Sequence, residues 1–255
     1  MQPEILLPVT DPGLTSQLED LAKRHRAASG PMMQVITFVG GTTESLLGRL
    51  PPPVRDGLQS ATERGLDAAL EAASRSRGVV SDRPDWVNKV LTTALGAAGG
   101  AGGLPSALAE LPFTITMLLR AIQGIAAEHG FDPESDEVKL ECLRVFASAG
   151  PLEADDGADM GFLTARMTIT GAGLHGLVAK VAPRLAAALG QKLATQTVPV
   201  LGAVAGAAVN YAFTSYYQEI ARVHFGLKRL ARDSGEDEGL LREELVMRLS
   251  GAAPR

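Results

Sequence analysis

Apolar residues recur at helical spacing along most of the chain, and alternating strand-like runs are nearly absent. Between Val54 and Ser74 the positions Leu58, Ala61, Leu66, Ala69 and Leu70 form a stripe flanked by Arg, Asp and Glu, which predicts an amphipathic helix. Pro51, Pro52 and Pro53 end whatever precedes it and suit its first turn, where a missing N–H costs nothing. A second stripe, Ile115, Leu118, Leu119, Ile122 and Ile125, runs to Gly130, a helix stop. Asp132 and Pro133 then predict the N-cap and first residue of a helix that buries Val138, Cys142, Val145 and Phe146. Residues Leu163 to Leu189 predict an Ala- and Gly-rich helix punctuated by Lys180 and Arg184. Two charged segments, Ser16 to Ala28 and Glu238 to Leu249, predict a short solvated helix and a terminal helix.

Charge changes this picture by its absence. Val90 to Ala109 carries none and contains five glycines, including Gly99, Gly100, Gly102 and Gly103. Leu193 to Gln218 is uncharged over 26 residues, with the small-residue pattern Gly202-x-x-x-Gly206. That length is enough to span a bilayer, but Thr195, Gln196, Thr197, Pro199 and Asn210 dilute the second window and glycine the first. The expected fold class is all-α: a compact multi-helix domain with a Gly/Ala-rich central helical hairpin. Residues 1–80 are expected as an N-terminal helical extension, 81–235 as the core, and 236–255 as a charged C-terminal helix and tail.

Composition agrees with helices. Hydrophobic residues make up 45% of the chain but aromatics only 4%, so Ala, Leu, Val and Gly must build the core. A net charge of −5 and a pI near 5.5 speak against nucleic acid as a partner, since phosphate neutralisation needs an excess of Lys and Arg. The single cysteine, Cys142, leaves no internal disulfide and fits a reducing compartment. The N-terminus has no basic segment followed by a long apolar run, so no secretory signal is expected. The expected location is the cytoplasm, including the inner face of the cell membrane.

Catalytic signatures are missing. His25, His129, His175 and His224 show no helical i, i+4 pairing, so no metal is expected. The glycine run lacks the Gly-Lys-Ser/Thr ending of a phosphate loop, and no cofactor is expected. There is neither a Gly-x-Ser-x-Gly elbow nor a Ser-x-x-Lys pair, and Cys142 lies on an apolar helix face. No catalytic residue is assigned, and the reading leans to a non-enzymatic protein.

One polar constellation stands out. On a helix from Val200 onward, Asn210, Thr214, Tyr217 and His224 share a face with Gln218 adjacent, while Arg120 and Glu141 interrupt apolar faces elsewhere. Arg120, Glu141, Asn210, Tyr217, Gln218 and His224 are therefore candidate ligand-binding residues, gripping a head group or carboxylate. The other reading makes them buried groups that satisfy one another and fix helix register. Just beyond, Arg222, Lys228, Arg229 and Arg232 form a candidate basic stripe for anionic lipid. A solvated face complementing the helix C-terminus explains the same charges.

Two stretches resemble the EcsC family, named for a bacterial protein whose gene neighbours those of an ABC transporter. The first runs from Leu111-Pro112-Phe113-Thr114 through Met117-Leu118-Leu119-Arg120 to Leu140-Glu141-Cys142-Leu143-Arg144-Val145-Phe146. The second runs from Gln196-Thr197-Val198-Pro199 through Gly202 and Gly206 to Asn210, then to His224-Phe225 and Arg229-Leu230. Where the family pattern tends to show Glu, this chain has Ala231. The resemblance implies a helical protein in the cytosol or at a membrane, and carries no established chemistry. Together with the uncharged windows and the basic stripe, it leads to the expectation of a membrane-associated or hydrophobic-ligand-binding protein linked to an envelope or transport system. Its expected partners are a lipid or fatty acid, the membrane surface, and a transporter subunit. A regulatory subunit docking on a transporter is the alternative, and a hydrolase of unknown substrate, using Arg120, Glu141, Asn210 and His224 together, is the second.

Overall fold

Caps and prolines set where the helices begin. The computed structural model describes residues 11–28, 30, 50–77, 111–147, 174–195 and 202–250. Asp11 accepts from the backbone N–H of Gly13 and Leu14 at 2.6 and 3.1 Å and opens α1 (Pro12–Ala28). The carbonyl of Pro51 accepts from Val54 and Arg55 at the start of α2 (Pro52–Arg77). Helix α3 (111–128) ends in a Schellman motif: Phe131 N–H reaches the Ala126 carbonyl and Gly130 N–H the Ala127 carbonyl, with Gly130 at φ 79°. Then follow α4 (Asp136–Ala147), α5 (Leu174–Thr195), α6 (Gly202–Ser234) and α7 (Glu238–Leu249). Among the described residues there is no strand, and the chain is an all-α compact domain.

One boundary and one burial pattern differ from the sequence expectation. Helix α4 starts at Asp136 rather than Pro133. Asp132 spends its side chain on the N–H of Glu134 in a local turn, and Ser135 Oγ caps the helix by accepting from Val138 N–H at 3.3 Å. Residues 16–28, expected to be solvated, lie in a helix that buries Leu18 and Ala22 completely. Its apolar stripe is narrow enough for the surrounding charge to mask it.

The main core is built from α2, α3, α4, α5 and α6, and the sequence stripes supply it: Leu58, Leu66, Ile115, Leu119, Phe146, Leu185 and Phe213 all belong to one cluster. Helix α5 packs against α2, α4 and α6. Gly65 lets α3 come close to α2, since a methyl group there would stand 2.7 Å from Ile115 Cδ1. A second cluster joins α1 and α7 to the C-terminal half of α6 through Leu18, Ala22, Val223, Leu227, Leu230, Leu241 and Leu245. Of the two uncharged windows, residues 90–109 lie outside the described residues. Of the other, residues 193–195 end α5 and residues 202–218 form the first half of α6, while residues 196–201 lie outside the described residues. Among the described residues no helix is long and apolar enough to cross a membrane.

Candidate functional site

Helix α6 carries different chemistry on two opposite faces. Residues two apart on a helix point about 160° away from each other, so Arg222 and His224 look to opposite sides.

The inner face meets α4 at Glu141. This carboxylate is 5% exposed, and His224 Nε2 lies 2.8 Å from it. Arg144 donates to it at 2.7 Å and Lys228 at 3.3 Å. Lys228 also reaches Glu238 at 3.1 Å, and Glu238 pairs with Arg242. Burial works against the charge on Glu141. The His224 hydrogen bond and the positive charges of His224, Lys228 and Arg144 outweigh it and hold the carboxyl down at about 2. The result is an ionic network that ties α4 to α6 and α6 to α7. Its carboxylate is already engaged by three donors and is poorly placed to act as a base.

The candidate ligand-binding residues do not share a point. Asn210 and His224 stand 14 positions apart on one continuous helix, about 21 Å along its axis. Asn210, Tyr217 and Gln218 are buried along the face that packs inward. Tyr217 sits among aromatic rings, 5.5 Å from Phe146, 5.2 Å from Phe213 and 5.2 Å from Tyr216. Arg120 is half-buried on α3. The structure thus brings Glu141 and His224 together and leaves Asn210 a helix-half away. No hydrolytic centre made of Arg120, Glu141, Asn210 and His224 can assemble on that spacing. Among the described residues, no group of three metal-ligating side chains converges.

The basic stripe divides in the same way. Lys228 turns inward to Glu141. Arg232 lies over the Phe131 ring, 5.0 Å from its centroid, and donates to the carbonyls of Gly130 and His129 at 3.2 and 3.4 Å. Arg222 and Arg229 turn outward, where α6 faces α1 across an open groove of about 760 Å³. Lys23 and Arg24 of α1 stand opposite them, with His129 at the end of α3. Glu219 accepts from Arg24 at 2.7 Å and from Arg222 at 2.6 Å, so one carboxylate serves two guanidiniums. Asp20 lies 3.7 Å from Lys23. Among the described residues no carboxylate pairs with Arg229, which is exposed. Among the described residues the groove is lined by four cations, Lys23, Arg24, Arg222 and Arg229, and two carboxylates, Asp20 and Glu219, in a chain whose net charge is −5. Burial, and then the charge of Arg24, push Arg222 below the ordinary arginine value.

A family model described as the EcsC protein family matches residues 85–230. The chain belongs to the EcsC protein family. No curated protein and no solved structure matches it. The EcsC segment carries Glu141, Arg144, His224 and Lys228, together with the α6 wall of the groove. Helix α1, the opposite wall, and α7 lie outside it.

Sequence reasoning did not single out Lys23, Arg24, His129 or Glu219. One signal was available. Leu14, Leu18, Leu21 and Ala22 repeat at i, i+4, i+7 and i+8 within the charged N-terminal helix, marking a docking face that puts its charges beside a partner. Which partner is a long-range fact, and no local spacing records it.

Proposed function

We propose that this EcsC-family protein is a non-enzymatic module that attaches peripherally to an anionic membrane surface through the groove between α1 and α6. The observation that carries this reading is the concentration of Lys23, Arg24, Arg222 and Arg229 around one open groove on an otherwise acidic chain. Leu21 and Leu230 line the same groove and offer apolar contact beside the charges. The lack of a membrane-crossing helix among the described residues is compatible with peripheral attachment. The buried ionic network at Glu141 supports the reading indirectly, because it fixes the α6 face that presents Arg222 and Arg229.

Co-sedimentation with vesicles tests the proposal. The protein is expected to pellet with phosphatidylglycerol-containing vesicles and not with phosphatidylcholine alone, and to be released by raised salt. Arg229→Glu should weaken binding, whereas Arg55→Glu, an equal charge change on α2, should not. Binding that ignores lipid charge, or that Arg229→Glu leaves intact, overturns the reading.

A further inference from the structure

We infer that Glu219 is a built-in competitor for the groove's ligand. Its carboxylate holds Arg24 and Arg222 in the unattached protein and yields them to anionic head groups on attachment. It thereby sets how much negative charge a surface must carry before the protein binds. This rests on the groove being the binding surface just proposed and names the device that regulates it.

The geometry is that of a bound anion. Glu219 Oε2 accepts from Arg24 at 2.7 Å and Oε1 from Arg222 at 2.6 Å, so the two oxygens of one carboxylate lie between guanidiniums from opposite walls. Arg24 comes from α1, whereas Glu219 and Arg222 share α6. The two guanidiniums are near enough for the charge of Arg24 to weigh against protonation of Arg222. An anionic group between them relieves that repulsion, and a head-group phosphate presents its oxygens to guanidiniums in the same way.

Exposure decides that this pairing can be exchanged. The Arg24 side chain is 45% exposed and that of Glu219 23%. Water and salt reach both, and ion pairs of this kind contribute little to stability. Arg222 is half-buried and shares a helix with Glu219, so Arg24 is the partner that exchanges most readily. Glu141 is the contrast: its carboxylate is buried and engaged by His224, Arg144 and Lys228. Opening that network strands a buried charge, whereas parting Arg24 from Glu219 returns both groups to solvent.

Arg229 gives the surface a first hold. It is exposed on the same face of α6, two turns beyond Arg222, and among the described residues no carboxylate pairs with it. A surface caught there brings further head groups to Arg24 and Arg222, where they compete with Glu219, and it repels the Glu219 carboxylate itself. Each basic residue turned toward an anionic surface tightens attachment about fivefold. A weakly charged surface therefore leaves the pairing with Glu219 intact, and a strongly charged one replaces it. The other reading makes Glu219 a brace that aims the two arginines, and it predicts the opposite effect of removing the carboxylate.

The test is co-sedimentation with vesicles containing graded fractions of phosphatidylglycerol in phosphatidylcholine. Glu219→Gln should bind about fivefold tighter than the wild type at a fixed fraction, and should reach half-binding at a lower one. Asp56→Asn, the same charge change at an exposed position of α2, should stay within about twofold of the wild type. Arg24→Gln should cost more affinity in the Glu219→Gln background than in the wild type, because there the guanidinium has no carboxylate to serve. Circular dichroism melts establish that the variants are folded. A gain no larger than that of Asp56→Asn, or one that survives Arg24→Gln, overturns the inference and leaves surface attachment standing. Weaker binding by Glu219→Gln does the same and makes the residue a brace. Binding by Glu219→Gln with none by the wild type supports the competitor and overturns attachment of the unaltered protein. Binding by neither overturns both.

Discussion

Gly226 and Leu21 meet where α6 faces α1: a methyl group on Gly226 would stand 2.9 Å from Leu21 Cδ2. The absent side chain is what allows the two walls of the groove to close to this distance. The neighbour is the far end of a flexible side chain, so alanine is tolerated once Leu21 turns aside. Alanine also brings a helix-propensity gain of up to about 1 kcal/mol. Gly226→Ala is expected to melt within a few degrees of the wild type and to keep vesicle binding. Gly226→Leu should push α1 off α6 and abolish vesicle binding; wild-type binding by that variant contradicts the assigned groove.

The carboxylate of Glu141 makes stability depend on acid pH in a defined direction. Its folded pKa is depressed from 4.5 to about 2, so its contribution is complete above pH 4.5 and is lost as pH falls toward 2. A shift of this size is worth roughly 3 kcal/mol. Glu141→Gln should destabilise the fold in urea at pH 6 by a comparable energy, because Arg144 and Lys228 lose their counter-charge. The gap between variant and wild type should narrow as pH falls from 4.5 to 2.5. Parallel curves across that range would show that another group carries the effect.

Leu18 is fully buried and belongs to the smaller cluster. Leu18→Asp is expected to release α1. Hydrogen exchange should then accelerate in α1 and α7 while α4 and α5 stay protected. Uniform acceleration over all helices would mean that the two clusters unfold as one. The milder Leu18→Ala should cost about 3 kcal/mol.

Cys142 is the only thiol and is wholly buried on α4. Its labelling by a thiol reagent should be slow in native buffer and should follow global unfolding as urea is added. Fast native labelling would show that α4 opens locally.

Much of the fold was legible because local chemistry decides it. The prolines at 51–53 and Gly130 mark helix ends within one or two residues, and Glu238 to Leu249 is the terminal helix as read. Cys142, Val145 and Phe146 face the core as their spacing predicts. Where two local signals competed, the reading slipped. Asp132-Pro133 and Ser135 both resemble a helix start, and the turn bond from Asp132 to Glu134 decided for Ser135. The candidate site was legible only in fragments. Glu141 and His224 were both singled out, yet their contact spans 83 positions, and Lys228, placed with the outward arginines, joins them across 87. A helical stripe shows which residues share a face, not which neighbour that face meets. Arg222 and Lys228 separate because α4 lies on one side of α6 and α1 on the other.

The division of the interior into two clusters has a consequence for how such a protein can be altered. Apart from Ala28, the side chains of α1 rest on the smaller cluster, and α1 lies outside the segment that defines the family. The chassis and the jaw are thus separable parts: five helices hold the shape, and one appended helix supplies half of the grip. Rewriting the outward positions of residues 12–27 can re-aim the groove toward another charge or size of ligand without disturbing any side chain of the main core. On the proposed reading, the outward positions of α1 set which ligand the groove accepts, and they lie outside the family segment.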